Sequence, residues 1–325
     1  MEFFHNVDID WLGKKWYFLA FSLIFSVAGI ISMSYHWVTI HTPVPLGVDF
    51  SGGTQVEVQF TQKPDLTRIR QAMDASGLKN SSISTFGEAA NNEALISLPE
   101  QTSEAAVDQA RADIETALRQ HYTNNFAVRS EQSVGATVSH QLEKQAALAT
   151  LWSMLGMLVY LWFRFQLIYG VAAVVACFHD TLITVGAFSL ASSFGATSLE
   201  LSLTVIAAIL TLVGYSMNDT IVVFDRIREN LRLTRREPLP DLVNRSINQT
   251  LSRTVLTSGL TFLTVLSLFV FGGQVLKGFS FALVVGILIG TYSSIAVASP
   301  MLVAWQEWRA SKGKAAVLPA ARRAR

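Results

Sequence analysis

The sequence contains a single cysteine and little charge. Cys177 lies inside an apolar run of a 325-residue chain. The chain alone can therefore form neither a disulfide framework nor a cysteine-based zinc site, and redox chemistry is disfavoured. Charged residues make up 15% of the chain, and 25 Lys and Arg nearly balance 24 Asp and Glu. A net charge of +1 argues against nucleic-acid binding, and so few charges are atypical of a soluble globular protein.

Hydrophobic residues take the place of the missing charges. They form 50% of the sequence, and the mean hydropathy is +0.37. A helix needs roughly 20 apolar residues to cross a bilayer. Six such runs are present, at Trp16–Tyr35, Gln145–Phe163, Phe165–Leu190, Leu199–Phe224, Arg253–Phe271 and Phe279–Ala304. The first is too long for the apolar part of a cleavable signal peptide. We therefore predict a multi-pass membrane protein with six transmembrane helices.

The distribution of Lys and Arg predicts the orientation in the membrane. The connection between spans four and five is rich in arginine, whereas the connection near Gly195 has no Lys or Arg and the one near Gln274 has only Lys277. The positive-inside rule then places the Arg-rich connection and both termini in the cytoplasm. We expect a cytoplasmic N-terminus (1–15), helix 1 (16–36), a periplasmic domain (37–140), helices 2–6 (141–308) with a cytoplasmic loop (225–252), and a basic cytoplasmic tail (309–325).

The periplasmic stretch has the alternating patterns of a small α+β domain. Period-2 alternation indicates strands, and apolar residues three or four apart indicate helices. The helix that begins after Ser103 has that residue as its predicted N-cap. The elements are expected at Gln55–Phe60, Asp65–Ser76, Ser81–Phe86, Glu93–Leu98, Ser103–His121 and Phe126–Ser133. Their order, βαββαβ, is that of a ferredoxin-like domain.

Polar residues inside the apolar spans are the candidate functional residues. An ionisable side chain in mid-membrane costs roughly 2.5 to 3.5 kcal/mol, so its presence requires a reason. Asn218 and Asp219 lie in span four, inside the first loop charge, and Arg253 opens span five. Polar residues recur every three or four positions in both spans, which predicts two polar stripes that meet. They are Thr211, Tyr215, Asn218 and Asp219 in span four, and Thr250, Arg253, Thr257, Thr261 and Thr264 in span five.

His179 and Asp180 form a second polar site, in the middle of span three. Adjacent residues point about 100° apart on a helix, so one of the two is expected to face the interior. Two interpretations are open for both sites. Asp219 and Arg253 are either a static buried ion pair or a proton relay in which movement of Arg253 switches Asp219 between proton binding and release. His179 and Asp180 are either a satisfied hydrogen-bonded node or part of that relay.

Two glycine motifs complete the candidates. Gly286 and Gly290 belong to a ridge of small residues in span six, which permits close helix packing, inside the chain or against a partner. Gly47, Asp49, Gly52 and Gly53 lie in a Gly-rich segment that leads into the first strand. A phosphate-binding loop is one interpretation of that segment. A turn that sets up the strand is favoured, because the segment lacks the Gly-Lys-Ser/Thr ending and precedes a strand.

Several segments together resemble the SecF family, the smaller membrane subunit of the bacterial SecD–SecF protein-export complex. The resemblance covers nearly the whole chain up to about Trp308. It is carried by Gly47–Thr54, Gly214–Asn230, His179-Asp180, Gln249–Thr254 with Thr257-Ser258-Gly259, and Phe271-Gly272-Gly273.

The resemblance implies a six-helix half of an RND-type transporter in the bacterial inner membrane, with SecD supplying the other half. It further implies that the proton-motive force drives assistance to preprotein translocation, with the proton as coupling ion and no other cofactor. The implied partners are SecD, the SecYEG channel with SecA, the translocating preprotein and, as a possible further partner, YajC. The family's ion-pathway residues match Asp219 and Arg253, with Thr257 beside them.

Two other functions remain as alternatives from the sequence. One is a half-size RND-type exporter of lipids or small molecules, and the other is a purely structural subunit that stabilises a partner. An enzyme is the least favoured class, because the sequence shows no nucleophile–base pair or metal-ligand cluster.

Overall fold

The computed structural model describes residues 8–79, 81–86, 91–98, 104–165, 167–195, 199–233 and 237–312. In chain order the elements are α1 (Lys15–Ile40), α2 (Val48–Ser51), β1 (Gly53–Phe60), α3 (Leu66–Ala75), β2 (Ser82–Phe86), β3 (Glu93–Leu98), α4 (Glu104–His121), β4 (Phe126–Val134), α5 (Ala136–Arg164), α6 (Leu167–Ser193), α7 (Leu203–Leu233), α8 (Leu239–Phe271), α9 (Gly273–Ser293), a π-helical turn (Ser294–Ala298) and α10 (Ser299–Ser311).

Six helical segments of the described chain are long and apolar enough to cross a membrane. They are α1, α5, α6, α7, α8 and the continuous segment Gly273–Arg309, which joins α9 to α10 through the π-helical turn. A four-stranded sheet stands between the first and second segments. The predicted fold class, six membrane helices with an α+β domain between helices 1 and 2, is confirmed.

The α+β domain is a fully antiparallel sheet in the order β2-β3-β1-β4. Its two split βαβ units give the ferredoxin-like arrangement that the βαββαβ pattern predicts. Alternate residues of β1 face α3 and α4, so that Val56 and Val58 are fully buried beside Ile69 and Ile114. The side chain of Asp65 caps α3 by accepting hydrogen bonds from Thr67 N and Arg68 N. The predicted cap Ser103 lies outside the described residues.

The helices extend well beyond the apolar runs, which corrects the predicted loop at 225–252. α7 continues to Leu233 and α8 already begins at Leu239, where Pro238 and Pro240 define its start. Most of the Arg-rich connection is therefore helical. Hydropathy locates only the lipid-embedded part of a helix, and polar residues continue the same helix into water. α5 likewise begins at Ala136, ahead of the predicted Gln145.

Close glycine contacts bring the bundle helices together. A Cβ atom on Gly186 of α6 would lie 2.9 Å from Cα of Gly29 in α1, and one on Gly286 of α9 would lie 2.3 Å from Cδ2 of Leu212 in α7. A larger residue at Gly186 would require movement of a helix, because it meets backbone, and one at Gly286 would displace the buried Leu212 side chain. The Gly286 and Gly290 ridge therefore packs inside the chain, against α7, and fixes the separation of the two helices that hold the candidate site.

Candidate functional site

Asp219 lies in the bundle between α7, α8 and α9. Its side chain is buried, with 3% of the residue exposed. One carboxylate oxygen, Oδ2, accepts a hydrogen bond of 2.7 Å from the hydroxyl of Ser258 on α8, and the hydroxyl of Thr291 on α9 also interacts with the carboxyl group. A carboxylate buried in this way requires polar partners from several helices, because hydrocarbon provides none.

Arg253 lies near Asp219 without touching it. Its charge acts on the Asp219 carboxyl group, yet the two groups form no ion pair, and the Arg253 side chain is exposed. The hydroxyl of Thr257 donates a hydrogen bond of 3.0 Å to the carbonyl oxygen of Arg253, one turn earlier. The interpretation of Asp219 and Arg253 as a static buried ion pair is therefore wrong for this chain alone. The guanidinium stays exposed, a short distance from a buried carboxylate.

Asn218, Arg253 and Thr257 share an open face of α7 and α8 with Thr211 and Thr264. We call these five exposed residues the polar stripe. The threonines donate to carbonyl oxygens of their own helices. The side chains of Asn218 and Arg253 have neither a hydrogen-bond nor an ion-pair partner within the described part of the chain. A face with unsatisfied polar groups cannot lie against lipid without a large cost, so a protein partner or water must cover it.

The sequence prediction of two meeting stripes is correct only in part. Thr250, which shares the predicted spacing, is buried and donates to Ser246 and Ile247 carbonyl oxygens. Asp219 also turns inward, away from the exposed stripe. The stripe and the buried carboxylate are therefore two adjacent parts of one site.

His179 and Asp180 form a second buried site that joins four helices. Oδ2 of Asp180 accepts hydrogen bonds from the Ser216 hydroxyl of α7 at 2.6 Å and the Ser293 hydroxyl of α9 at 2.7 Å. Oδ1 lies 3.0 Å from Nδ1 of His179, whose Nε2 is hydrogen-bonded to the Ser22 hydroxyl of α1. Asp180 faces the interior, with 1% exposed, while His179 bridges to α1.

The two carboxylates share supporting helices. Ser216, a partner of Asp180, lies three residues before Asp219 on α7, and Ser293 lies two residues after Thr291 on α9. Any shift of α7 against α9 therefore changes both carboxylate environments. Gly290 lies at this contact, because a Cβ on it would be 2.9 Å from Cβ and 3.2 Å from Oγ of Ser216.

We expect Gly290→Ala to destabilise the chain by about 1–3 kcal/mol, since the added methyl group must displace Ser216 from its hydrogen bond with Asp180. Thermal unfolding of the purified protein in detergent measures the effect. Gly156→Ala is the matched control, because a Cβ at Gly156 meets no atom within 4 Å. Equal melting temperatures for both variants would contradict the close α7–α9 contact.

The Gly-rich segment links the α+β domain to the bundle. Residues 48–51 form one helical turn, and Gly52 and Gly53 then adopt φ angles of 66° and 104° that reverse the chain into β1. Glycine adopts such positive φ angles without strain. The segment is therefore a turn that sets up the first strand, as the sequence favours over a phosphate-binding loop.

Asp49 is the centre of this link. It is 7% exposed, and its Oδ1 accepts a hydrogen bond of 2.8 Å from Nε2 of Gln132 in β4. Its Oδ2 accepts one of 2.8 Å from the backbone N–H of Leu203, the first residue of α7. A carboxylate is well placed at a helix N-terminus, where unpaired N–H groups carry partial positive charge. One side chain thus connects the outer sheet to the helix that carries Asp219.

Backbone hydrogen bonds reinforce the link around Asp49. Gly47 N donates to the Leu201 carbonyl oxygen at 2.9 Å, and Leu201 N donates to the Pro45 carbonyl oxygen at 2.8 Å. The hydroxyl of Ser139 on α5 donates to the Phe50 carbonyl oxygen at 2.7 Å. Nearby in β1, burial and the charge of Glu93 raise the pKa of Glu57. The hydrogen bonds of Gly47, Leu201 and Ser139 thus join the domain to both α5 and the segment that leads into α7.

Sequence reasoning did not find the hydroxyl partners Ser22, Ser216, Ser258 and Ser293, or the contact between Asp49 and α7. Serine is common in packed membrane helices, so its type alone gives no signal. Within the described residues, no three His, Cys, Asp or Glu side chains gather as a metal site. Cys177 is a buried free cysteine that forms no disulfide bond.

Comparison with known proteins assigns the fold to a class. A solved crystal structure of SecDF from Thermus, a translocon-associated membrane protein, superimposes with a TM-score of 0.79 and 36% identity over 93% of the chain. A second SecDF structure, in the super-membrane-facing form, superimposes with a TM-score of 0.67 and 35% sequence identity over 96% of the chain. The chain spans about two fifths of those proteins, 39% and 40%. It is thus similar to one part of an RND-type membrane protein.

Family comparisons make the assignment specific. The model for the C-terminal region of protein export membrane proteins SecD/SecF matches residues 113–308, and that of the SecD/SecF GG motif matches residues 37–64. The protein translocase subunit SecF of Koribacter versatilis is 54% identical over 98% of this chain and 96% of its own length, and that of Calditerrivibrio nitroreducens is 41% identical over 92% and 94%. The chain belongs to the SecF family.

Proposed function

We propose that the chain uses the proton-motive force, as one subunit of a membrane complex, to assist translocation of preproteins through the Sec channel and their release on the periplasmic side. One observation carries the proposal. Asp219 is buried beside an open polar stripe, and the charge of Arg253 acts on it without forming an ion pair. This arrangement suits a carboxylate that gains and loses a proton, because a small movement of Arg253 or of water alters the relative stability of its two protonation states.

The polar stripe points to the partner that completes the site. We propose that SecD covers the polar stripe. This is supported by the solved SecDF chains, because this chain matches only about two fifths of their length and the rest is available to cover the stripe. Water confined between the halves would then reach Asp219 past Asn218 and Thr257. The further partners in this proposal are SecYEG with SecA, the preprotein and YajC.

The proposed orientation places the α+β domain in the periplasm and both termini in the cytoplasm, in the bacterial inner membrane. It is supported by the arginines at the α7–α8 end of the bundle, opposite the outer domain. Protons would then enter on the side of the outer domain and leave towards the cytoplasm. The membrane potential provides about 2.3 kcal/mol per charge per 100 mV, enough to bias a two-state movement.

Coupling to the outer domain runs through α7 in this proposal. A shift of α7 that accompanies protonation of Asp219 would move the N-terminus of the helix, where Asp49 is bound. Asp49 also holds β4 through Gln132. The movement of one helix would therefore become a rotation of the sheet. His179 and Asp180 would act on the same helix through Ser216.

Replacement of Arg253 tests the relay. We expect Arg253→Ala to reduce gradient-dependent preprotein export about tenfold, in the range of typical coupling free energies, at normal abundance and complex assembly. Arg253→Lys should retain part of the activity, because it keeps the charge but loses the planar guanidinium. The measurement is the export rate in membrane vesicles with and without a protonophore.

The control for this test is Arg232→Ala, which removes an exposed arginine from the end of α7 outside the site. It should export at the wild-type rate. Wild-type export by both Arg253 variants, at equal protein levels, would reject the relay and favour a purely structural subunit.

A further inference from the structure

An apolar groove of about 340 Å³ opens between α1, α8 and the last membrane segment. It has the volume of a small-molecule site. Its walls are almost entirely hydrocarbon, with Phe18 on α1, Val255 and Phe262 on α8, and Leu288 and Ile295 on the last segment among its lining residues.

The few polar groups that line the groove already have partners. Ser258 donates to Asp219, Thr291 donates to the Ile287 carbonyl oxygen at 2.8 Å, and Tyr292 donates to the Phe18 carbonyl oxygen. The indole N–H of Trp11 donates to Oδ1 of Asn248 at 2.8 Å. These four groups therefore have no donor free for a polar ligand, and the groove suits an apolar chain.

The groove faces lipid and not the partner that covers the polar stripe. Val255 follows Arg253 by two residues, so the two side chains point about 200° apart on α8. The rim residues Val255 and Leu288 are 39% and 52% exposed. The groove is thus continuous with the hydrocarbon-facing surface.

Positive charge lies at one end of the groove. Lys14 and Lys15 separate the groove residues Trp11 and Phe18 in the sequence, and neither lysine forms an ion pair within the described residues. The nearby carboxylate of Asp10 accepts a hydrogen bond of 2.8 Å from Gly13 N in the same turn. Two lysines at the start of a membrane helix attract anionic lipid headgroups.

We propose that the groove binds one acyl chain of an anionic phospholipid whose headgroup lies at Lys14 and Lys15. The acyl chain fills a cavity that hydrocarbon solvates better than water. It also covers Ser258, the hydroxyl that supports Asp219, from the lipid side. Water then reaches Asp219 only from the polar stripe, so the bound lipid separates the ion site from the surrounding bilayer.

Photocrosslinking tests the site in the full-length chain, reconstituted with its co-purified partner. The probe is phosphatidylglycerol with a photoactivatable group near the end of one acyl chain, and adducts are located by peptide mass spectrometry. We expect adducts concentrated at residues 251–262 and 287–296. Adducts spread evenly over the exposed faces of α1 and α5, as for ordinary surrounding lipid, would overturn the proposal.

Two variants separate the acyl chain from the headgroup. Gly259 lines the groove and a Cβ there meets no atom within 4 Å, so the side chain of Gly259→Phe can start into the groove and should occupy it. The variant should lower groove adducts about tenfold, since that change requires only that about two methylene groups of the acyl chain no longer be buried in the groove. Gly156→Phe, on the open face of α5, is the matched control and should leave adducts unchanged.

The double variant Lys14→Gln with Lys15→Gln tests the headgroup. Unlabelled phosphatidylglycerol should compete with the probe about thirtyfold better than phosphatidylcholine in the wild type, because both lysines attract the anionic headgroup. The preference should disappear in the double variant. Equal competition by both lipids in the wild type would overturn the anionic site, and unchanged groove adducts in Gly259→Phe would overturn the acyl-chain site.

Discussion

Replacing Asp219 with asparagine is expected to abolish the part of preprotein export that depends on the proton gradient. Asparagine keeps the shape of the side chain and accepts the hydrogen bond from Ser258, but it cannot bind and release a proton. The lost driving force is about 2.3 kcal/mol per charge per 100 mV, which corresponds to about a 50-fold bias in a two-state equilibrium. The measurement is the export rate of a preprotein in vesicles, with and without a protonophore.

The stability of the variant should not fall, because a neutral amide in a buried site avoids the cost of burying a charge. Complex assembly is therefore expected to be normal, which separates this effect from misfolding. Asp225→Asn provides the control, since Asp225 is an exposed carboxylate six residues further along α7. Gradient-dependent export at the wild-type rate in Asp219→Asn would show that Asp219 only stabilises the bundle.

The sequence predicts the architecture well because its signals are local. Six apolar runs are long enough to cross a bilayer, and the period-2 alternation around Val56 and Val58 reports a half-buried strand. The sheet order follows from the βαββαβ sequence of elements. Helix ends are less predictable. α8 begins fourteen residues before Arg253 because the helix continues into water, where hydropathy no longer marks it.

Only those site residues whose burial in the membrane costs free energy can be predicted from the sequence. Asp219, Arg253 and Asp180 stand out because ionisable groups are rare in hydrocarbon. Their serine partners are not predictable, since Ser216 and Ser258 are found only when α7, α8 and α9 are packed. The spacing correctly indicates that Arg253 and Asp219 share one region, but it cannot tell a direct ion pair from the separated arrangement. That difference depends on side-chain direction.

The role of Asp49 depends on contacts that no local pattern reports. Its partner Leu203 is 154 residues away in the sequence, and Gln132 is 83 residues away. The Gly-rich segment indicates a turn, yet the turn's carboxylate is the only side chain shown to bind both the sheet and the first N–H of α7 among the described residues. The position of Asp49 therefore links the outer domain to the helix that carries Asp219, and its replacement gives the sharpest test of the proposed coupling.

Asp49→Ala is expected to uncouple the outer domain from the membrane helices. Both donors, Gln132 Nε2 and Leu203 N, lose their acceptor, and each lost hydrogen bond contributes about 0.5–1.5 kcal/mol, because both donor residues are exposed and can bind water instead. The sheet should nevertheless remain folded, because its core lies around Val56 and Ile114, away from the link. Export should fall about tenfold or more, although Asp219 and its hydrogen bonds are intact.

Hydrogen exchange identifies the cause of that loss. In Asp49→Ala the amide of Leu203 should exchange faster, whereas amides in the paired strands β1 and β3 should keep their protection. Asp49→Asn, with one acceptor oxygen for two donors, should give an intermediate effect. Asp74→Ala removes an exposed carboxylate from α3 and is the control. Wild-type export together with faster exchange at Leu203 would show that the link is a structural contact only, and that movement reaches the outer domain by another route.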